Sequence, residues 1–525
     1  MRNAGLGPWI RKRKVKSGNK PAVIHAGQEL VYADMADRVD LLAGALQERG
    51  ITAGDRIAYL GNNHPAYLET LFAAGILGAV FVPLNTRLAA GELAYQLTDS
   101  GSRLLIHASE LTELAGQAVE GTDVRARWSV GGTSAGVEAY EEAISNAEPT
   151  TVDVPVSLED PAIILYTSGT TGRPKGAVLS HGNMTWNSIN VIVDYDVPAS
   201  EVALMIAPMF HVASLGMGAL PTLLKGGTLV LQDRFDPGEV LAAIEHHRIT
   251  SLSGVPTTYQ LLAEHPTFAT TDISSLVKLT CGGSAVPARV SEAYEARGLS
   301  FSNGYGMTET APGATALLAE HSHEKAGSSG LPHFFTDIRI VEPGGGMAPA
   351  GVDGEIQISG PNVISGYWQL PEASAQTIID GGWLRSGDIG HLDDEGFLYV
   401  SDRLKDMIIS GGENIYPAEV ETVIMELPQV ASVAVIGVPD EKWGEVPRAV
   451  VELFDGAALD GASLQAHLEG RVARYKIPRT VEFVGELPRT ASGKIRKATL
   501  RNRIITHQDP GRVGTTNTLE ARNRS

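Results

Sequence analysis

Along the chain, segments with the hydrophobic pattern of buried strands alternate with segments that have the pattern of helices. Short apolar runs at 56–60 and 80–84 predict strands, and the segment 65–77 between them predicts a helix. The same order returns later, with strands predicted at 162–166, 202–207, 228–231 and 279–283 and helices predicted from Asp236-Pro237 onward and over 287–298. Near-continuous apolar strands with helical crossovers predict an α/β fold, with parallel or mixed sheets covered by helices in a large N-terminal domain.

The pattern changes near Ser401. Residues 402–406 place charges between two apolar runs, which predicts a hinge at Lys405. Strands at 432–438 and 480–484 and a helix at 461–473 then predict a smaller α+β lid that moves. We therefore expect a large domain at 1–402, a lid at 403–507 and, where hydrophobic periodicity ends, a disordered tail at 508–525.

Composition narrows the class of protein. The 525 residues, 43% of them hydrophobic, are too many for one ordinary core, and the formal net charge of −19 argues against nucleic-acid binding. The basic stretch 11–14 fits a solvated helix end better than a contact with anionic lipid. The single cysteine, Cys281, excludes an intrachain disulfide. The longest apolar run, 71–82, is too short to span a bilayer and no apolar signal core opens the sequence, so a cytoplasmic protein is expected.

One loop predicts binding of phosphate. Directly after the apolar run 162–166 come glycines, hydroxyl groups and two cations: Thr167, Ser168, Gly169, Thr170, Thr171, Gly172, Arg173, Pro174, Lys175 and Gly176. Glycines let the backbone approach a ligand closely, and amides, hydroxyls and cations can surround phosphoryl oxygens. The spacing is neither that of a Walker loop nor that of a dinucleotide motif. On composition alone, a flexible surface loop remains the alternative.

Five further motifs accompany the loop. They are 207–211 (Ala-Pro-Met-Phe-His), 304–309 (Gly-Tyr-Gly-Met-Thr-Glu), 385–388 (Arg-Ser-Gly-Asp), 402–406 with 411–414, and 488–494 (Pro-Arg-Thr-Ala-Ser-Gly-Lys). In this order they resemble the AMP-forming acyl-CoA synthetases, a superfamily that includes firefly luciferase and the adenylation domains of peptide synthetases. The resemblance covers nearly the whole chain. The sequence departs from the family's pattern at Ser386, where threonine is common, and at Ala285, where proline is frequent.

The resemblance implies an acid–thiol ligase. A carboxylate resists attack by a thiol, so the family first joins it to the α-phosphorus of ATP and then passes the acyl group to coenzyme A, releasing AMP and pyrophosphate. By resemblance Lys494 bridges the acid's carboxylate and the α-phosphate, and Thr308 contacts that phosphate. The same resemblance implies that Glu309, with Thr167, holds Mg²⁺. Without the motifs, Lys494 would be an exposed lysine and Glu309 a helix cap.

The nucleotide is expected at residues that the other motifs supply. By resemblance Tyr305, between Gly304 and Gly306, stacks on adenine, and Gly283 and Ser284 form the opposite wall. The resemblance also implies that Asp388 accepts hydrogen bonds from the ribose hydroxyls, with Arg403 beside it. For coenzyme A, Gly411 and Gly412 fit a narrow pantetheine channel, and Trp443 with Arg474 or Lys476 receives the nucleotide. A core tyrosine and a surface ion pair are the alternatives for Tyr305 and for Asp388 with Arg403.

The acid pocket is the least defined part of the predicted site. Alone, His211 could be a base, a metal ligand or a packed ring, and by resemblance it gates the acid pocket. The predicted walls are His211, Gly216, Met217, Val255, Asn303 and Met307, which suit a planar aryl acid or a medium chain. Because glycine has no side chain, Gly216 is expected to leave room beyond His211. His246 and His247 lack the spacing of a metal site. Cys281 fits a buried position better than an acyl-thioester nucleophile.

The acid itself is favoured to be aromatic. The segments 1–7, 63–69 and 334–337 resemble aryl-CoA synthetases of the feruloyl type, which implies a hydroxycinnamate, a benzoate or a larger aryl acid. Three alternatives stay open: a medium- or long-chain fatty-acid ligase, a stand-alone enzyme that loads a carrier protein, and a non-catalytic nucleotide-binding protein. A homodimer is also an open expectation.

Overall fold

The computed structural model describes residues 2–132, 136–150, 152, 154–167, 174–282, 286, 288–403, 406–410, 413–415, 417–440, 443–469, 471–472, 474–489 and 495–501. Its contacts divide the chain into two compact units. The first contains Met1–Ser386 and Gly390–Val400, and the second contains Gly387–Ile389 and Ser401–Ser525. The functional boundaries expected at 402 and 507 stay predictions, and the expected tail lies outside the described residues.

Strands of the first unit, in chain order, are β1 (Pro21–His25), β2 (Gln28–Val31), β3 (Arg56–Leu60), β4 (Val80–Leu84), β5 (Ser102–Ala108), β6 (Ala126–Val130), β7 (Glu138–Ala139), β8 (Pro161–Thr167), β9 (Lys175–Ser180), β10 (Val202–Met205), β11 (Thr228–Leu231), β12 (Ser251–Gly254), β13 (Lys278–Cys281), β14 (Phe301–Asn303), β15 (Thr315–Ala316), β16 (Leu331–Pro332), β17 (Asp337–Val341), β18 (Gly354–Ser359), β19 (Ile378–Ile379), β20 (Trp383–Leu392) and β21 (Leu398–Arg403), the last two continuing into the second unit. Its helices are α1 (Trp9–Ser17), α2 (Tyr32–Glu48), α3 (Pro65–Leu77), α4 (Ala90–Ser100), α5 (Thr112–Val119), α6 (Tyr140–Ser145), α7 (His181–Asp194), α8 (Leu220–Lys225), α9 (Pro237–His247), α10 (Pro256–Glu264), α11 (Ala288–Glu295) and α12 (Pro371–Thr377).

Two seven-stranded sheets carry the first unit, and they confirm the predicted α/β fold. One has the order β7-β6-β5-β3-β4-β8-β9, and the other has the order β14-β13-β12-β10-β11-β1-β2. Within each sheet the neighbours are parallel except for one edge pair, β8 with β9 and β1 with β2. The central strands are buried, as in β4, where all five residues are buried, because helices cover the sheets.

Helix α3 shows how the local sequence sets an element. The imidazole of His64 accepts a hydrogen bond from the amide of Ala66, and Pro65 occupies the first turn, where its missing N–H costs nothing. The helix ends at Gly78, whose φ of 65° is left-handed and therefore suits glycine. The predicted bounds, 65–77, are confirmed.

A third sheet of the first unit was not predicted. It has the order β17-β18-β20-β19, with β21 paired to β20, and it packs around Ile340, Ile356 and Ile358. The basic stretch near the amino terminus is held by the protein: Arg11 pairs with Asp40 at 2.7 Å, which fits the interpretation as a helix end.

The second unit is a compact α+β body. Its elements are β22 (Ile408–Ser410), β23 (Glu413–Ile415), α13 (Pro417–Ile424), β24 (Val430–Asp440), β25 (Gly444–Leu453), α14 (Gly461–Leu468) and β26 (Thr480–Val484). The sheet runs β23-β22-β25-β24, with β26 parallel to β25. Among the described residues of the whole chain, no helix combines the length and hydropathy that crossing a bilayer requires.

Candidate active site

The predicted phosphate loop closes a β-hairpin. Strands β8 and β9 pair antiparallel, with Thr167 opposite Lys175. The Thr167 hydroxyl donates to the carbonyl of Lys175 at 3.5 Å, so both predicted ligands stand at the base of the loop. The intervening residues of the predicted phosphate loop lie outside the described residues: Ser168, Gly169, Thr170, Thr171, Gly172 and Arg173. A hairpin in place of a strand–loop–helix unit agrees with the non-Walker spacing.

A later segment of the chain covers the outer edge of β9. The amide of Val178 donates to the carbonyl of Gly366 at 3.1 Å, and the amide of Trp368 donates to the carbonyl of Gly176 at 2.7 Å. Tyr367 therefore lies opposite Ala177. This pairing satisfies an edge strand and brings an aromatic residue to the loop.

Tyr367 connects two of the predicted ligands. The Lys175 ammonium lies 5.2 Å from the centre of its ring, and its hydroxyl donates to Oε1 of Glu309 at 2.9 Å. Burial, and then the negative charge of Glu309, raise the pKa of the Tyr367 phenol well above its usual value. The phenol therefore stays protonated and holds one oxygen of the Glu309 carboxylate in place.

The segment around Tyr305 is held by a second strand-like pairing. The carbonyl of Tyr305 accepts the amides of Ala314 at 2.9 Å and Thr315 at 3.0 Å, and Gly306 pairs with Gly313. A Cβ at Gly306 would lie 1.8 Å from the carbonyl oxygen of Pro312, so only glycine fits. Thr308 and Glu309 follow in the 3₁₀ turn Thr308–Thr310. Gly304 is equally restricted, because a Cβ there would lie 2.6 Å from the carbonyl oxygen of Thr315.

His211 precedes an irregular helical segment. The half-buried His211 ring lies 4.8 Å from that of Phe210, and the chain then forms the π-helical turn Ser214–Ala219. Met217 in this turn packs against a cluster that includes Tyr195, whose hydroxyl donates to the carbonyl of Asn303 at 3.2 Å. The structure thus brings Met217 and Asn303 to the same region.

The other predicted acid-pocket residues lie in different environments. Gly216 is buried against the chain at 311–312: a Cβ there would lie 2.6 Å from Cδ of Pro312 and 2.7 Å from the carbonyl oxygen of Ala311. The expectation that Gly216 leaves room beyond His211 is therefore wrong. Val255 is 39% exposed just before α10, and Met307 packs with Tyr305 against the core of the third sheet. Their roles as pocket walls stay predictions.

The predicted sites in the second unit are only partly described. Asp388 is buried in β20, and Arg403 ends β21. Lys476 pairs with Glu419 at 2.6 Å, whereas Arg474 is exposed and forms no ion pair with a residue that the structure describes, so Arg474 is the better candidate to bind an anion. Trp443 is 38% exposed. The predictions at Lys494, Lys405, Gly411 and Gly412, and those at Gly283 and Ser284 in the first unit, lie outside the described residues.

Comparison with known proteins identifies the family. A family model described as AMP-binding enzyme matches residues 10–368, more than half of the chain, and the AMP-binding enzyme C-terminal domain matches 419–494. The chain belongs to the AMP-binding enzymes. It is 52% identical to a feruloyl-CoA synthase of Amycolatopsis, over 96% of this chain and 100% of that protein. It is 37% identical to a long-chain-fatty-acid–CoA ligase of Mycobacterium tuberculosis, over 95% and 98% of the two chains. Among solved structures it resembles the o-succinylbenzoate CoA synthetase of Bacillus subtilis in complex with its acyl-adenylate, with a TM-score of 0.84 and 32% identity over 98% and 99% of the chains.

Two other chemical hypotheses for this AMP-binding enzyme can be assessed from its side chains. Cys281 is buried, and burial raises the pKa of its thiol to about 12, so at neutral pH it is protonated and poorly nucleophilic. This fits the core position that was favoured over an acyl-thioester nucleophile. Within the described ranges, no group of three or more His, Cys, Asp or Glu side chains forms a metal cluster.

Sequence reasoning missed three residues that organise this enzyme's site. Tyr367 donates a hydrogen bond to Glu309, and Tyr195 donates one to the carbonyl of Asn303. The side chain of Asn187 donates to the carbonyl of Gly216 at 2.8 Å and accepts from the amide of Gly313 at 3.0 Å. The aromatic pair Tyr367-Trp368 after Gly366 was a usable signal for a segment that packs near the loop. Asn187 lies inside a helix, where no local signal marks it.

Replacement of Gly216 tests the corrected placement. Gly216→Leu is expected to lower the free energy of unfolding by about 1–3 kcal/mol or more, because the added side chain meets Pro312 and the carbonyl of Ala311. Activity should fall alike for short and long acids. Urea unfolding and pyrophosphate release measure the two effects, with Gly344→Leu as the control, since a Cβ at Gly344 meets nothing within 4 Å. A fully stable variant that rejects only long acids would restore the original view of Gly216 as an open pocket wall.

Proposed function

We propose that this chain is an ATP-dependent acyl-CoA ligase that activates an aromatic carboxylic acid. The acid becomes an acyl-adenylate, and coenzyme A then takes the acyl group, so that AMP and pyrophosphate are released. The observation that carries the proposal is the connected set Lys175, Tyr367 and Glu309 at the base of the hairpin. It places a cation and a fixed carboxylate beside a loop rich in amides and hydroxyls, in a chain of the AMP-binding family.

The residues present fit the nucleotide and Mg²⁺. Glu309 and Thr167 offer the oxygen donors that Mg²⁺ prefers, and Tyr367 occupies only one oxygen of the Glu309 carboxylate in the contacts described. Bound Mg²⁺ would neutralise phosphate charge. Lys175 adds a fixed positive charge at the same place, and its position against the Tyr367 ring limits the directions in which the ammonium can move.

The two proposed steps need different groups. First, the carboxylate oxygen forms a bond to the α-phosphorus, and the bond from that phosphorus to pyrophosphate breaks. Lys494 and Thr308 are proposed to stabilise the charge that gathers there, with Tyr305 on adenine and Asp388 and Arg403 on ribose. Then the coenzyme A sulfur, after losing its proton, attacks the acyl carbon, and AMP leaves. The proposed path of the thiol passes Gly411 and Gly412, and Trp443 with Arg474 meets its nucleotide.

An aromatic acid is proposed because the most informative relative is a feruloyl-CoA synthase at 52% identity over nearly the full chain. A long-chain acid is the second candidate, since a fatty-acid ligase is 37% identical. The cytoplasm, where ATP and coenzyme A are present, is the proposed compartment.

A pyrophosphate-release panel of aryl and alkyl acids tests the proposal. Activation of benzoates and cinnamates should release pyrophosphate from ATP. Addition of coenzyme A should then give steady turnover, with acyl-CoA as the product. Faster turnover of palmitate than of every aryl acid would favour the fatty-acid ligase. Release that coenzyme A does not affect would favour loading of a carrier protein, and ATP binding without release would favour a non-catalytic protein.

The proposed hinge gives a separate prediction. Lys405→Pro should leave adenylate formation nearly intact and strongly reduce acyl-CoA formation, because proline fixes one backbone dihedral where the small domain is proposed to turn between the two steps. Lys405→Ala, which removes the same side chain but leaves the backbone free, is the control. Normal acyl-CoA formation by the proline variant would place the hinge elsewhere.

A further inference from the structure

The segment 207–211, which ends at His211, forms a turn after strand β10. The amide of His211 donates to the carbonyl of Pro208 at 3.1 Å, and the Ser214 hydroxyl donates to the carbonyl of Ala207 at 2.8 Å. Both contacts are local. The position of the turn within the first unit therefore depends on residues from elsewhere in the chain.

Asn63 reaches this turn from the other seven-stranded sheet. It follows strand β3, whereas the turn follows β10, and the two strands belong to different sheets. Its amide nitrogen Nδ2 lies 3.0 Å from the carbonyl oxygen of Ala207 and 3.2 Å from that of Met205. The carbonyl oxygen of Gln232, directly after β11, lies 3.3 Å from the same nitrogen. The oxygen Oδ1 accepts a hydrogen bond from the amide of Met209 at 2.9 Å.

Asn63 suits this position because its side chain both donates and accepts hydrogen bonds. The three carbonyl oxygens can only accept and the Met209 amide can only donate, so the surroundings determine the orientation of the side-chain amide. The residue is 3% exposed, which shields these hydrogen bonds from solvent. Removal of the side chain would leave buried polar groups without their partner, which is costly unless the backbone that carries them moves.

Tyr67 holds the same peptide from its other side. Its hydroxyl donates to the carbonyl of Met209 at 2.8 Å, and its ring packs edge to face against Phe81 in the core, with the ring centres 4.9 Å apart. Tyr67 lies in the first turn of α3, and Asn63 lies two residues before that helix. One short segment of the chain therefore binds both the amide and the carbonyl of Met209, two residues before His211.

We propose that Asn63 and Tyr67 are positioning residues for the acid site. They fix the peptide of Met209, and this places His211 where it can gate the acid pocket. Neither residue touches the acid; both act through His211. The inference rests on the proposed ligase function and adds the residues that set acid binding. The alternative is a purely structural role, in which Asn63 only joins the two sheets.

The first measurement separates the acid from ATP, with the best acid of the pyrophosphate-release panel as the probe. Asn63→Ala should lower kcat/KM for the acid at saturating ATP roughly ten- to a hundredfold, because a displacement of about 1 Å can cost that much. Tyr67→Phe, which removes a single hydroxyl, should lower it roughly two- to tenfold. The KM for ATP should stay unchanged in both variants. Equal losses for the acid and for ATP would indicate the purely structural role.

A double-mutant cycle tests whether the two residues act through His211. Asn63→Ala should lower kcat/KM for the acid much less in a His211→Ala background than in the unmodified enzyme, because the group that Asn63 positions is already absent. The same cycle with Tyr67→Phe gives the answer even if Asn63→Ala does not fold. Equal fold-losses in the two backgrounds would overturn the inference and leave the ligase function standing. If no acid of the panel released pyrophosphate in the unmodified enzyme, the proposed function itself would fail.

Asn3→Ala and Tyr32→Phe are the matched controls. Asn3 is also buried, and its side chain donates to the carbonyl of Gly75 at 2.9 Å and accepts from the amide of Gly5 at 3.0 Å. The buried Tyr32 hydroxyl donates to the carbonyl of Gly227 at 2.7 Å, before β11 instead of after it. These bonds do not reach the turn, so kcat/KM for the acid should stay close to that of the unmodified enzyme. Urea unfolding checks that each variant is folded, and an equal loss of kcat/KM in the controls would also overturn the inference.

Discussion

Replacing Lys494 by alanine should lower the rate of adenylate formation roughly a hundred- to a thousandfold, the range measured when one preorganised donor to a developing charge is removed. The proposed position of Lys494 is between the acid's carboxylate and the α-phosphate, so its charge matters most when the oxygen–phosphorus bond forms. The thiol step should survive, because the acyl-adenylate already carries that bond. Single-turnover pyrophosphate release and acyl-CoA formation from a supplied acyl-adenylate measure the two steps.

Lys497→Ala serves as the control for Lys494. Lys497 is three positions further along the chain, and its ammonium pairs with Glu421 at 2.8 Å. Lys497→Ala therefore removes a nearby lysine whose charge is bound to a protein carboxylate and is not proposed to contact ATP. Both half-reactions should remain close to those of the unmodified enzyme. Adenylation within tenfold of normal in Lys494→Ala would show that another cation faces the phosphate.

Gly306→Ala should reduce adenylate formation by about a hundredfold, although it adds only one methyl group. The new Cβ would lie 1.8 Å from the carbonyl oxygen of Pro312 and 3.1 Å from the amide nitrogen of Ala314, so the paired segments must separate. Tyr305 precedes this position, and Thr308 and Glu309 follow it, so two proposed contacts to ATP and one to its Mg²⁺ would shift together. A displacement of about 1 Å at a reacting centre can cost that much.

Gly344→Ala is the control for Gly306, since a Cβ at Gly344 meets nothing within 4 Å. Activity with ATP varied should show a raised KM together with a lowered kcat in Gly306→Ala and neither change in Gly344→Ala. A stable Gly306→Ala variant with normal kinetics would mean that the segment 305–309 does not touch the nucleotide.

The local sequence predicts individual helices and strands, but it does not predict which strands pair. The helix α3 was predicted to the residue because Pro65 and Gly78 mark both ends, whereas the helix expected over 461–473 ends at Leu468. Strand β1 pairs with β11 about two hundred residues away, Val23 opposite Leu229, and no local pattern carries that information. Two strands of the third sheet have a weak hydrophobic signal, because β17 is partly exposed and β19 has only two residues.

The same limit applies to the site. Motifs indicated Thr167, Lys175 and Glu309, since each lies in a contiguous stretch of characteristic residue types. They did not indicate Tyr367, because it lies 58 positions after Glu309 in the sequence. Its contact with Glu309 also depends on the pairing of its segment with β9, a strand that is still further away in the sequence. Space at Gly216 was misjudged for a related reason: the segment at 311–312 fills it, and its path follows from tertiary structure.

The π-helical turn Ser214–Ala219 has a consequence for insertions and deletions. Such a turn holds one residue more than an α-helical turn, so loss of a single residue here would let the helix become regular. Because each helical residue turns the chain by ~100°, the residues on one side of the deletion would rotate by that angle relative to those on the other. Met217 would then leave the face it shares with Tyr195. Along this stretch, chain length is therefore constrained in addition to the side chain at a position such as Gly216.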